Sequence, residues 1–268
     1  MTSEHIILSP EVQKLKEECD LLREQLAGLF TERDHLLNTV SPNIQAKYAT
    51  TIGVKEYESL ILDVEVRRLK ATIELIQAME NQGKKPNLEQ IEAAVEDELQ
   101  EWRKKVEKML DEIKNSENRL NNLLPEEDIK ELQQLYRALA KKLHPDVNPD
   151  LQDEHKALWE RVQKANEFGN LQEMRALKLL VDDVPDQITT INQLEELQKR
   201  CNQLKTQSKE LVKSIEGIKK QLPFTLDDNL NDPEWVQAQI SKYEERTKAL
   251  SAEKKRLEEW ISVWKGKK

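Results

Sequence analysis

Most of this chain is paced by a heptad step. From Leu8, apolar side chains advance by fours and threes through Val12, Leu15, Cys19, Leu22, Leu26, Leu29, Leu36 and Val40, with Arg33 as the exception. The same step recurs at Leu62, Val66, Leu69, Ile73 and Ile76, and again at Ile91, Val95, Leu99, Trp102, Val106, Met109, Ile113, Leu120 and Leu123. Two more series run through Leu194, Leu197, Cys201, Leu204, Leu211, Ile215, Ile218 and Leu222, and through Val236, Ile240, Tyr243, Leu250, Leu257, Ile261 and Trp264. Residues three and four apart share one face of a helix, so each series is a narrow apolar seam. With 35% charged residues and only 6 glycines in 268, the composition suits long helices. An all-α fold follows.

The breakers divide these seams. Ser41-Pro42-Asn43 should end the first helix, because proline cannot continue a helix interior. Residues 43–53 lack periodicity and read as a linker or turn. Asn81 to Asn87 carries Gly83 and Pro86 and reads as a turn, with Asn87 and Gln90 at capping-box spacing for the next helix. A short turn between two seams favours an antiparallel hairpin. Farther on, Pro223 breaks a helix and Asp232-Pro233 starts another, giving a second hairpin with arms of about 45 Å. The expected organisation is an N-terminal coiled-coil helix and linker over 1–54, a helical hairpin over 55–123, a distinct segment over 124–183, and a C-terminal coiled-coil hairpin over 184–268. Long antiparallel coiled coils make the expected particle elongated, and the same seams also suit a homodimer.

Charge and cysteine usage narrow the function. The net charge is −9, with Lys and Arg interleaved among Glu and Asp, so no basic face for nucleic acid stands out. Lys265, Lys267 and Lys268 complement a helix C-terminus. No apolar run reaches the ~18 residues of a membrane span, and Met1 to Ser9 lacks the pattern of a signal peptide. Cys19 and Cys201 occupy seam positions, where buried, reduced thiols of a cytoplasmic protein are expected. His5, His35 and His155 stand apart from ligand-spaced partners, so neither a metal nor another cofactor is expected. Trp102, Trp159, Trp235, Trp260 and Trp264 lie at or beside seams, as packing residues do. Neither a nucleophile–base pair nor a phosphate loop is apparent, and an enzyme is not expected.

Residues 124–183 depart from the heptad pattern. Pro125 opens a helix whose first turn holds Glu126, Glu127 and Asp128 and whose end holds Arg137, Lys141 and Lys142, charges that oppose the macrodipole. Ile129, Leu132, Leu135, Tyr136, Leu139, Ala140 and Leu143 form its apolar stripe, while Lys130, Gln134, Arg137 and Lys141 share the other face. Pro145 stops the helix and presents His144 and Asp146 on a loop. Asp150 suits the next N-cap, with Asp153 in the following turn, and Leu158, Trp159, Val162 and Ala165 give that helix an apolar side. After Gly169-Asn170, the residues Leu171, Met174, Leu177 and Leu180 suggest a short third helix.

Leu135 to Asp146, ending in Leu143-His144-Pro145-Asp146, resembles helix II and the signature loop of the DnaJ family's J domain. Trp159-Glu160-Arg161-Val162-Gln163-Lys164-Ala165 is similar to that family's helix III. The resemblance implies a co-chaperone that binds a DnaK-type chaperone and stimulates its ATP hydrolysis during protein folding. It implies that His144, Pro145 and Asp146 form the stimulating loop, and that Lys130, Arg137, Lys141 and Lys142 dock on an acidic surface of the ATPase. Asp146 would pair with a partner arginine. The family's helix I motif is absent, and Leu120, Leu123 and Leu124 are expected to pack in its place. The Gly/Phe-rich and zinc-binding regions are also absent, so the coiled coils are expected to supply a protein partner, a client or a location. The bland alternatives are a helix-ending turn at His144 and a coiled-coil scaffold with an inactive J-like module.

Overall fold

The computed structural model describes residues 9–149, 151–181 and 193–266. Leu8, His5, Asp150, Asp183, Lys267 and Lys268 lie outside the described residues. Every regular element among those described is helical, so the fold is all-α. The described chain divides into two compact units, one from Met1–Pro42 and Leu123–Thr225, the other from Asn43–Asn122 and Leu226–Lys268.

The first unit holds α1 (Pro10–His35), α5 (Glu126–Leu143), α6 (Asp153–Glu167), α7 (Leu171–Val181) and α8 (Leu194–Lys219). Ser9 caps α1 by accepting from the Val12 amide. The α1 seam is used as its spacing implies: Val12, Cys19 and Leu26 bury, and Leu15, Leu22 and Leu29 pack partly buried, with Leu197, Cys201, Leu204, Leu211 and Ile215 of α8, while Phe30, beside the seam, joins the same cluster. Ion pairs Glu18–Lys205 and Glu32–Lys219, both 2.6 Å, fall in the same order along the two helices, so α1 and α8 run parallel.

The second unit holds α2 (Ser41–Tyr48), α3 (Val54–Asn81), α4 (Leu88–Asn121), α9 (Asp227–Leu230) and α10 (Pro233–Gly266). Asn87 caps α4 by accepting from the Glu89 and Gln90 amides, as the sequence suggests. The α3–α4 hairpin is antiparallel: Arg67 lies over the Trp102 ring at 4.2 Å, while Arg119 donates to Asn43 at the opposite end. Ile76, Ile91, Val95, Leu99 and Trp264 form its buried centre. Lys70–Glu253 and Arg246–Asp63 run in the same order, so α3 and α10 are parallel.

Three expectations need correction here. Within the first unit the seam of α8 is taken up by α1, and within the second the seam of α10 is taken up by α3. The apolar step is met by any seam of matching length, and the long chain segments between these partners release them from the antiparallel rule that short turns impose. Pro42 does not end the first helix, and residues 43–53 are not a linker. A wide π turn at Leu36–Val40 precedes Pro42, with the Ser41 amide reaching back to Leu36. Widening the turn there eases the clash and the missing N–H that proline brings to a regular helix. A second π turn, Ala49–Gly53, coincides with Thr50 and Thr51, whose hydroxyls donate to the Ala46 and Lys47 carbonyls and compete with the helical ladder. Third, Cys19 and Cys201 are not thiols: they form a disulfide, Cα atoms 5.1 Å apart. Pairing α1 with α8 sets the two seam positions opposite one another.

Candidate functional site

The site grows from the end of α5. Its acidic first turn and basic last turn favour the helix, and Leu132, Tyr136, Leu139, Ala140 and Leu143 are buried along one side. These pack with Trp159, Val162 and Ala165 of α6 and Met174, Leu177 and Val181 of α7 in one apolar cluster. Tyr136 Oη donates to Asp34 of α1 at 2.5 Å, and burial, reinforced by that carboxylate, raises its phenol well above the usual range. Gly169 turns the chain from α6 into α7 at φ +62, and a Cβ there would meet Leu124 at 2.8 Å. Any side chain there is strained by the positive φ and must displace the end of Leu124.

Pro145 ends α5, and His144 at its C-cap is extended, as a residue before proline prefers. The loop is then tied tightly. The Val147 and Asn148 amides both donate to the His144 carbonyl, at 3.0 and 2.8 Å. The Asp146 amide donates to His144 Nδ1 at 3.1 Å, which makes Nδ1 an acceptor and the imidazole neutral. Phe30 of α1 stacks on the His144 ring at 3.7 Å, and Trp159 meets it edge-on at 4.9 Å. His144 is 7% exposed; burial, with Arg33 nearby, pushes its pKa down to about 3.

Residues that the sequence reading did not single out hold the loop from the other side. Arg23 of α1 is 1% exposed and donates to Asn148 Oδ1 at 2.6 Å and to the Lys141 carbonyl at 3.1 Å. Asn148 in turn donates to that carbonyl at 2.8 Å. Arg200 of α8 donates to the Val147 carbonyl. Pro145 and Asp146 stay exposed and border an open groove with Lys199 and Gln203 of α8. No sequence signal pointed to Arg23, which flanks the α1 seam like many solvated arginines. Arg33 was visible as the break in that seam, and it lies over Phe30 at 4.9 Å.

The proposed docking cations do not form one open face. Lys130, 64% exposed, pairs with Glu126 at 2.5 Å. Arg137 pairs with Glu24 of α1 at 2.7 Å, and Lys141, only 23% exposed, pairs with Asp20 and Glu24 at 3.0 and 3.5 Å. Lys142 turns the other way and donates to the Val181 carbonyl. Thus α1 covers the Arg137–Lys141–His144 strip. The expectation for Leu120, Leu123 and Leu124 holds only for Leu124, which packs on the cluster. Leu123 is exposed, Leu120 belongs to the other unit, and Ala27 of α1 joins the cluster instead.

Among the described residues, no group of three or more His, Cys, Asp or Glu is placed to hold a metal. No helix among them is long and apolar enough to cross a membrane. The chain matches no known family, no curated protein and no solved structure.

Proposed function

We propose that this protein is a J-type co-chaperone whose loop at His144-Pro145-Asp146 engages a DnaK-type chaperone and stimulates its ATP hydrolysis. One observation carries the reading: α5 and α6 pack about a common core and hold Pro145 and Asp146 outward on a turn fixed by hydrogen bonds. A pre-ordered carboxylate on a rigid turn suits a bidentate contact with a partner arginine, at little ordering cost on binding. Lys130, Arg137, Lys141 and Lys142 steer the approach, with Arg137 and Lys141 available only once freed from Asp20 and Glu24. The chain itself supplies no catalytic group; hydrolysis belongs to the chaperone. The helical seams supply the contact with a client or a protein partner, and a homodimer would use them too.

The cytoplasmic reading rests on the lack of a signal-peptide pattern or membrane span and on reduced thiols, and the Cys19–Cys201 disulfide withdraws the last of these, since such bonds persist mainly in oxidising compartments. A cytoplasmic home remains compatible with a cross-link that forms and breaks.

The test is single-turnover ATP hydrolysis by a DnaK-type chaperone with the wild-type protein and with Asp146→Asn. Asp146 is exposed, so its loss of charge leaves the packing intact. Stimulation by wild type alone supports the co-chaperone. A second reading is favoured by the burial of His144 and the internal pairing of Arg137 and Lys141: a scaffold in which the J-like module is purely structural. It expects no stimulation by either protein and no change in partner affinity on Asp146→Asn.

A further inference from the structure

We propose that α1 is an intramolecular cover over the docking face of α5, held closed by the Cys19–Cys201 disulfide and released when that bond is reduced. The proposal rests on the co-chaperone reading for its purpose, but its geometry stands independently.

Four contacts along α1 fall on the face a partner would need. Asp20 and Glu24 present carboxylates to Lys141 and Arg137, the same chemistry an acidic partner surface would present. Arg23 grips the loop through Asn148, and Phe30 stacks on His144. An external acidic surface therefore competes with an internal one already at hand. Gly28 makes the close approach: a Cβ at that position would come within 3.3 Å of the Arg137 guanidinium.

The cross-link lies in register with these contacts. Cys19 immediately precedes Asp20, and Cys201 immediately follows Arg200, which donates to the loop carbonyl of Val147. One bond thus ties the acidic segment of α1 to the segment of α8 that also holds the loop. Reduction by a dithiol moves two electrons and two protons: the reductant's two thiols become its disulfide, and Cys19 and Cys201 become thiols. Both sulfurs are buried, so exchange follows local separation of α1 from α8 and is slow in the closed state. Once cut, α1 is still held by its apolar seam, by Arg23 on Asn148, by Asp34 on Tyr136 and by its ion pairs, but the covalent tie that kept it seated on α8 is gone, and the pairs at Arg137 and Lys141 are individually weak.

Acylation of lysines by N-hydroxysuccinimidyl acetate, read site by site by mass spectrometry, tests this without any chaperone. Lys130, exposed in the closed form, serves as the internal reference. The labelling ratio of Lys141 to Lys130 is expected to rise several-fold on treatment with dithiothreitol and in Cys201→Ala, with helicity retained by circular dichroism. An unchanged ratio in reduced, folded protein overturns the cover; the dithiothreitol arm decides if Cys201→Ala fails to fold. Asp20→Asn/Glu24→Gln should raise the ratio even with the disulfide intact. ATPase stimulation separates the two claims. Lys141 opening on reduction without any stimulation supports the cover and removes the co-chaperone; stimulation with Lys141 protected in every state does the reverse.

Discussion

The two units bury different kinds of core. In the unit built on α3, α4 and α10, the centre is aliphatic apart from the buried Trp264, and the polar contacts of its aromatic rings lie at the edges. Trp102 lies beneath Arg67 and Lys105, and Trp264 Nε1 donates to Glu80 at 2.7 Å. In the unit around α5, an aromatic and aliphatic core is bordered by buried polar groups with specific partners: Arg23, Asp34, His144 and Asn148. Seams of the first kind follow from a repeat and tolerate many pairings. The second kind is satisfied by one arrangement only, because a buried donor or acceptor without its partner costs about 1–3 kcal/mol. The loop that carries the proposed function sits where that specificity is concentrated.

Truncation should sharpen the contrast most. Tyr136→Ala removes a nearly inaccessible ring and leaves Asp34 with Arg33 as its remaining partner, and should cost about 3–5 kcal/mol, with local opening around α5 in hydrogen exchange. Ile76→Ala, also fully buried, should cost about 2–5 kcal/mol, with exposure confined to α3, α4 and α10. Protection lost equally in both units by either substitution would mean the molecule unfolds as one cooperative block, and the division into two cores would lose its energetic meaning. Arg23→Met should follow at about 3 kcal/mol, since it leaves Asn148 and the Lys141 carbonyl without a major partner. Gly169→Ala should cost roughly 1–3 kcal/mol from its positive φ and the contact with Leu124, and should loosen α7 without touching the other unit.

Sequence periodicity made the second unit largely readable and the first only in part. The Asn87 cap, the short turn and the α3–α4 hairpin are local, and local rules suffice for them. The partner of each long seam is not local, so Leu197 through Ile215 could not be told from Val236 through Trp264 as partners for α1. The disulfide was hidden for the same reason: Cys19 and Cys201 become neighbours only after α8 chooses α1. Pro42 was misread because a helix can absorb a proline by widening one turn, which no residue count reveals. At the site, Pro145 placed the loop correctly, and the alternation of apolar and basic residues placed the two faces of α5. That the basic face would be covered could not be read, because Asp20 and Glu24 look like any solvated heptad flank until α1 is docked.

Acid should separate the two units by a smaller margin, and the sign follows from His144. Its imidazole is held neutral in the folded protein, with a pKa near 3 against an ordinary value of 6.5. Between those values the unfolded chain binds a proton that the folded chain does not. Stability from this residue is therefore complete above about pH 6.5 and is lost as the pH falls toward 3, by at most about 1.4 kcal/mol per pH unit. His35, whose pKa burial also lowers, adds in the same direction. The His144-specific part is isolated by comparing wild type with His144→Gln: the wild-type protein should lose stability faster between pH 6.5 and 5, and the variant should show the shallower slope. Hydrogen exchange should place the excess opening in α1, α5 and the loop, with α3, α4 and α10 unaffected. Equal slopes would mean that the imidazole is solvated or already charged at neutral pH, and that the stack on Phe30 does not hold it.

The smallest effect belongs to the second unit. Trp264→Phe keeps the ring in place but removes the donor to Glu80, and should cost about 1 kcal/mol, because the freed carboxylate can turn to solvent. The same logic fails for Asn148→Ala in the first unit. There the lost groups face Arg23, which is buried and cannot turn outward, so a neutral deletion should cost more than the tryptophan's hydrogen bond. Thermal melts of the two variants side by side decide the point. If Asn148→Ala is the milder change, the loop is held by its apolar neighbours alone, and the buried polar contacts of α1 are not what orders the site.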